Sequence, residues 1–261
     1  MKKLTVALAM IAAAIIVPAT LFAWGPARPT YTIEHPADHV TFNSITNNPN
    51  IGDERNFVGI RETGTSNQWS DDMTVVRGKE YTVRMYVHNN AAENLNLVAE
   101  NVTAKFNLPT TTGKSIQVNG FLSASNATPT EVYDHAIFTG SENFNLAYVS
   151  GSLKYENNVF GEAGVTLSES IFTSTGVKLG YSSLDGKIPG CFKYAGYVTF
   201  RVKPQFAPVV PPVTPPVTPP VTPTELPKTG AGEDIVAIFG LGALITSIGY
   251  YIASRRTSLS K

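Results

Sequence analysis

The chain has a single cysteine, Cys191, among 261 residues, so no disulfide can close within it. Whatever folds here must be held by core packing rather than by covalent staples. Cys191 reads either as a reactive thiol or as a small apolar residue in or beside a strand. The second is the expectation, because free cysteines are among the most buried residue types. Charge is equally sparse. Lys and Arg number 20 and Asp and Glu 20, giving zero net charge with only 15% of residues charged. Such a chain carries no electrostatic footprint for nucleic acid. Catalytic patterns are missing too. Of the four histidines, His35, His39, His88 and His135, only the first two stand four apart. Pro36 between them breaks the helix that paired zinc ligands need. No Gly-x-Ser-x-Gly elbow and no phosphate-cradling glycine loop occurs. These absences predict a protein that is not an enzyme and needs no cofactor. The enzymatic alternative is a hydrolase whose scattered Asp and Glu residues converge in space.

Between its two ends the chain is rich in Val, Thr, Tyr, Phe, Asn and Gly, a composition that favours strands joined by turns. Tyr81, Val83, Met85 and Val87 alternate with Thr82, Arg84, Tyr86 and His88. Period two is the mark of a half-buried antiparallel strand, with the first set inward and the second toward solvent. Val102, Ala104, Phe106 and Leu108 repeat the pattern, and so does Gly196 to Lys203. Further strands are expected at Ser115 to Leu122, Glu131 to Phe138, Leu146 to Lys154, Val165 to Ser168 and Gly176 to Gly180. Residues 24–77 form an extended N-terminal arm with short strands at Tyr31 to Glu34, His39 to Asn43 and Asn56 to Arg61. Asn47 to Glu54 make a dense turn cluster within it. Many short alternating strands with no helical period predict an all-β, antiparallel sandwich over residues 24–206.

Both ends differ from this middle. Lys2 and Lys3 precede an apolar run from Leu4 to Val17, closed by Pro18 and by small residues up to Ala23. That order is typical of a secretory signal peptide, here 1–23, cut after Ala23 or alternatively after Ala19. Near the other end, Ala207 to Glu225 repeats Pro-Pro-Val-Thr three times. Proline fixes φ and removes donors, so 207–225 should be a polyproline II spacer reaching on the order of 60 Å. Residues 226–230 read Leu226-Pro227-Lys228-Thr229-Gly230. An unbroken apolar run, Ile235 to Ala253, follows, then a tail at 254–261 carrying Arg255 and Arg256. At 1.5 Å per residue a helix over 235–253 spans about 28 Å, close to one hydrocarbon thickness. The basic tail would lie on the cytoplasmic side.

The ordered C-terminal set resembles the sorting signal of Gram-positive surface proteins that sortase attaches to peptidoglycan. The resemblance implies that the sortase cysteine attacks the Thr229 carbonyl, releasing Gly230 onward, and that a cross-bridge amine resolves the thioester. Leu226 to Gly230 are then substrate residues, and Arg255 and Arg256 retain the membrane-inserted precursor. Sortase and peptidoglycan are the implied partners. Within the middle, Gly78 to Asn90 followed by Ala99 to Pro109 resembles conserved-repeat β-sandwich modules of bacterial surface proteins (domain of unknown function eleven). Their pattern is a strand ending in Asn-Asn, a loop, and an Ala-x-Asn-Val strand ending at Leu-Pro, with a closing strand like Gly196 to Val202. The match covers 78–203 and implies an Ig-like scaffold without chemistry. Gram-positive adhesins often carry a Lys–Asn isopeptide bond with its Asn in or beside the last strand, and Tyr197 to Lys203 contains no Asn.

Two further groups of residues are candidate contacts. Asp53, Asp71 and Asp72 lie in turn-rich stretches and offer hard oxygen ligands for Ca²⁺, although solvated turn acids are the plainer account. Trp69 reads as a sugar-stacking platform or as a core plug. The sequence thus predicts a cell-wall-anchored surface protein with an adhesive, display or envelope-structural role toward an extracellular ligand or host-cell surface. The alternative is a carbohydrate- or peptide-binding module, which a concave aromatic groove would favour.

Overall fold

The computed structural model describes residues 24–208. The segment 1–23 expected to be a signal peptide, most of the 207–225 tract expected to be a spacer, the 226–230 motif and the 235–253 run lie outside the described residues. The described part is built from thirteen strands and three short 3₁₀ turns. In chain order the strands are β1 (Trp24–Gly25), β2 (Val58–Glu62), β3 (Asp72–Thr74), β4 (Tyr81–Val87), β5 (Val98–Ala99), β6 (Thr103–Asn107) and β7 (Gly113–Ser123). Then follow β8 (Glu131–Tyr148), β9 (Lys154–Asn157), β10 (Gly161–Thr166), β11 (Val177–Lys178), β12 (Ile188–Pro189) and β13 (Gly196–Phe206). Every pairing between them is antiparallel except that of β3 with β8.

The closing strand β13 is the hub. One edge pairs with β4 from Gly196↔Val87 to Val202↔Tyr81. Its other edge is shared, with Gly196 to Thr199 against β9 and Val202 to Phe206 against β8. Strand β8 reaches β13 only after a register shift, because its first half, up to Thr139, pairs with β7. A strand that changes partners in this way turns a corner and lets two parts of one sheet face each other. Across that interior Phe200 of β13 meets Phe106 of β6 edge-on, with ring centroids 4.8 Å apart. Gly120 marks a close approach inside this core. A Cβ there would stand 2.7 Å from Val58 and 2.8 Å from Met85, so only glycine fits. Val83, Met85, Val118, Leu122, Phe138, Val198 and Phe200 are all buried in this core. Each such side chain contributes roughly 1.5–3 kcal/mol through burial.

The N-terminal arm departs from the expected strands. Tyr31 to Glu34 and His39 to Asn43 make isolated bridges only, Tyr31↔Ile45 and Phe42↔Asn89. Side chains replace a ladder here. Asn43 accepts from the His88 N–H at 2.9 Å and donates to the Tyr86 carbonyl at 2.8 Å, while its φ of 48° bends the chain. Asn90 accepts from the Ser44 N–H. The arm therefore covers part of the outer face of β4. Tyr86 and His88, expected toward solvent, are buried, whereas Thr82 and Arg84 on the same face remain half-exposed. The stretch Leu146 to Lys154 also divides: Leu146 to Tyr148 end β8, and Lys154 starts β9 after a turn. Residues 24–77 belong to the same sheet as the rest, since β2 pairs with β4 and β1 with β8.

Val83 is fully buried, and Thr82 lies half-exposed beside Arg61 and Arg201. An unpaired carboxylate buried at Val83 should cost several kcal/mol, so Val83→Asp is expected to unfold far earlier in urea than wild type. Thr82→Asp is expected to cost about 1 kcal/mol or less. Equal midpoints for the two variants would refute the inward assignment of Val83.

Candidate ligand-binding cleft

Strands β2, β4, β13 and β9 lie side by side, and period two sends alternate side chains away from the core. The register then builds rows across the strands. Arg61 stands opposite Thr82, and Thr82 opposite Arg201. Arg84 stands opposite Thr199, Thr199 opposite Lys154, and Tyr197 opposite Glu156. Beyond Arg84, β2 contributes Gly59, which has no side chain to add to the row. Trp69 occupies that space: a Cβ on Gly59 would touch the Trp69 Cβ at 3.4 Å. Trp69 is delivered by the neighbouring chain, which bridges Ile60 through Ser70 with N–H···O bonds of 2.8 and 3.0 Å.

Around Trp69 the two guanidinium groups converge. The Cζ of Arg84 is 4.2 Å and that of Arg61 4.4 Å from the centre of its ring. Arg84 also lies 5.2 Å from the centre of the Tyr197 ring. The ring faces offer negative potential, which holds guanidinium groups there without a carboxylate. Over this floor is an open cavity of about 440 Å³, lined also by Ser152, Lys154 and Glu156. That volume falls in the range of small-molecule sites.

The charges in the cleft are unequally partnered. Lys154 pairs with Glu156 at 2.9 Å, and Arg201 with Glu80 at 3.0 Å. Among the described residues, Arg61 and Arg84 have no carboxylate within ion-pair distance. The buried Arg84 Nε has no hydrogen-bond partner. Burial pulls the Arg84 guanidinium down to about 10, opposed by Tyr197 and helped by the neighbouring Arg61 charge. A cation in that state gains from any anion placed beside it.

The position of β2, and so of Arg61, depends on a second buried ionisable group. Asp134 of β8 accepts the N–H groups of both Phe57 and Val58 at 2.7 Å, fixing the start of the strand. Burial pushes the Asp134 carboxyl up to about 7, while those donors pull it down. A third buried group, the Glu54 carboxylate, lies under the N-terminal arm. It accepts from Asn48 at 2.6 Å and from Asn90 at 2.8 Å, and lies 2.9 Å from His88 Nδ1. With all these donors supplied by the protein, Glu54 is a structural anchor.

The residues singled out from sequence are scattered by the fold. Asp53 is held by Arg55 at 2.6 Å, and Asp71 accepts from Asn56 at 2.9 Å. Asp72 lies in β3. No cluster of three or more His, Cys, Asp or Glu side chains suited to a metal ion occurs among the described residues. Cys191 sits beside β12 and is half-buried rather than in the core, with Sγ 3.6 Å from Glu93 and φ at 137°. His35 is exposed, His39 pairs with Asp38, and His135 lies half-buried in β8. Trp69 is half-buried and lines the cleft rather than the core, so it is not a core plug. Leu226 to Gly230, Arg255 and Arg256 are outside the described residues. Arg61 and Arg84, which meet Trp69, and Tyr197, which meets Arg84, were hidden in the polar phases of three different strands. The chain matches no protein-family model, no curated protein and no solved structure in the comparisons made.

Asp134 gives the cleft a pH-dependent support. Its folded carboxyl titrates near 7 against an ordinary value of 3.8, so the folded state holds the extra proton between those limits. This contribution is full below pH ~4 and is lost as pH rises through ~7. Relative to Asp134→Asn, wild type should lose a few kcal/mol of stability across that window, read by urea unfolding at each pH. A difference between the two that does not change with pH would refute the assignment.

Proposed function

We propose that the chain is an exported surface protein, anchored to the cell wall through Thr229 by a sortase, whose all-β ectodomain serves adhesion, display or envelope structure. The observation that carries this reading is the ordered C-terminal set: Leu226 to Gly230, the apolar run Ile235 to Ala253, then Arg255 and Arg256. Signal cleavage after Ala23, an Ig-like sandwich over 24–206 and the polyproline spacer complete the proposed layout. The place where the sheet stops supports it: β13 ends at Phe206, directly before the proline-rich tract begins at Ala207. A strand end feeding a stiff spacer would hold the folded domain away from its attachment point.

A second reading, that the ectodomain is a saccharide- or peptide-binding module, is favoured by one observation. Trp69 and Tyr197 line a concave cleft with two unpaired guanidinium groups. The two readings are compatible, since anchoring concerns the C-terminus and binding concerns the outer face of β2, β4, β13 and β9. Neither requires the chain itself to catalyse a reaction.

Fractionation of cells tests the anchor. Wild type should resist boiling detergent, come free on muramidase digestion, and end at Thr229 with peptidoglycan fragments attached. Thr229→Ala should remain detergent-extractable with its basic tail intact. Replacing Arg255 and Arg256 by Ala should send more protein to the medium. Detergent extraction of wild type and Thr229→Ala alike, at one unchanged mass, would overturn sortase anchoring and leave a plain membrane anchor.

A further inference from the structure

The Trp69 cleft contains more recognition chemistry than the fold needs. Pairing strands requires no arginine over a buried part of a sheet, and Arg84 sits there with its Nε unpartnered. Arg61 has no carboxylate either, while the neighbouring Lys154 and Arg201 are both neutralised. In a chain of zero net charge this is a local excess of positive charge, built on an aromatic platform. Guanidinium forks favour planar oxyanions, which they hold through paired N–H donors.

The surroundings narrow the ligand further. Both edges of β4 and of β13's Gly196 to Thr199 segment are already paired, so an extended peptide cannot add as a strand beneath the cleft. The walls instead carry polar groups already tied into the sheet. Thr82 bonds Thr63, Ser152 donates to the Val149 carbonyl, and Thr199 donates to Glu156, which also pairs with Lys154, so a ligand meets their remaining lone pairs. Aromatic rings beside hydroxyls and one carboxylate suit a sugar, whose C–H faces pack on rings and whose hydroxyls donate and accept. A cavity of about 440 Å³ has room for a compact ring system and little more.

We infer that the cleft binds a carboxylate-bearing saccharide, with Arg61 and Arg84 holding the carboxylate from their seats on Trp69, and Tyr197, Thr82 and Thr199 lining the space for the sugar. The inference rests on the reading of this cleft as a binding site and is independent of wall anchoring. The two tryptophans of the chain provide the probe. In the full chain, the indole N–H resonance of Trp69 should shift on titration with glucuronate, while that of Trp24, placed beside Arg55, stays still. Glucuronate should bind about tenfold more tightly than glucose, as expected when charge-assisted hydrogen bonds are gained. Arg84→Gln and Arg61→Gln should each weaken glucuronate binding about tenfold and leave glucose nearly unchanged. Lys114→Gln, an exposed change of the same charge on β7, should have no effect. Arg84 is packed between rings, so its variant is read together with its melting temperature. Arg61→Gln carries the same test if Arg84→Gln does not fold.

Equal affinity for glucose and glucuronate would overturn the acidic class while leaving a saccharide site. Acetate or inorganic phosphate binding as tightly as glucuronate would reduce the cleft to a simple anion site and overturn it too. Tighter binding of an acidic peptide would replace the saccharide with a protein partner. No shift of Trp69 with any of these probes would overturn both the inference and the binding-module reading.

Discussion

The antiparallel ladder between β4 and β13 is the constraint on which the rest of the structure depends. Its register, from Gly196↔Val87 to Val202↔Tyr81, settles both faces at once. Inward it sets Val83 beside Phe200 and Met85 beside Val198, with Phe106 closing over Phe200. Outward it sets Arg84 beside Thr199 and Tyr86 beside Tyr197. A slip of one residue would exchange the two faces, burying Arg84 and exposing Val83. In the core that guanidinium would lose the Trp69 and Tyr197 rings and its remaining access to water, a cost that disfavours the slip. Because β13 also joins β9 and β8, the same register carries outward into the remaining strands.

Buried polar groups finish what the apolar core begins. The turn after β4 contains Asn89 and Asn90, and both are buried. Asn89 donates to the Ile188 carbonyl, and Asn90 links Ser44 to Glu54. Asn43 ties the arm to the main chain at Tyr86 and His88. Asn suits such positions because one short side chain both donates and accepts. Apolar side chains alone would bring the arm close to the sheet without fixing where it lies. The hydrogen bonds choose one position, since a misplaced arm would leave the Glu54 carboxylate unpaired in the interior.

The cleft is a consequence of the same geometry. The missing side chain of Gly59 leaves room for Trp69, and Trp69 in turn holds Arg61 and Arg84 apart from the carboxylates of the neighbouring strands. Cation–π contacts of this kind are worth roughly 0.5–2 kcal/mol, enough to position the guanidinium groups but not to neutralise them. The outcome is a sheet face whose strands are paired on both edges of β4 and whose two guanidinium groups lack a carboxylate among the described residues. For the anionic ligand we propose, such a site would leave little ordering cost to be met on binding.

The sequence by itself determined which residues alternate, and therefore that the described chain is antiparallel β with almost no helix. Tyr81 to Val87 and Gly196 to Val202 were legible for a simple reason: one buried face imposes period two on a strand. The C-terminal order of Leu226 to Gly230, an apolar run and two arginines is a matter of linear sequence alone, and its recognition by a sortase is our proposal. Tertiary structure alone decided the rest. Residues 31–43 looked like strands, yet side-chain amides satisfied their main chain instead. Tyr86 and His88 had the spacing of a solvent face, and the arm covered them. Glu54 was one acid in a turn cluster until Asn48, His88 and Asn90 closed around it. The cleft needed Arg61, Trp69, Arg84 and Tyr197 to meet from four separate stretches of chain. Periodicity specifies which way a side chain points from its own strand; only the pairing of strands specifies what it will meet there.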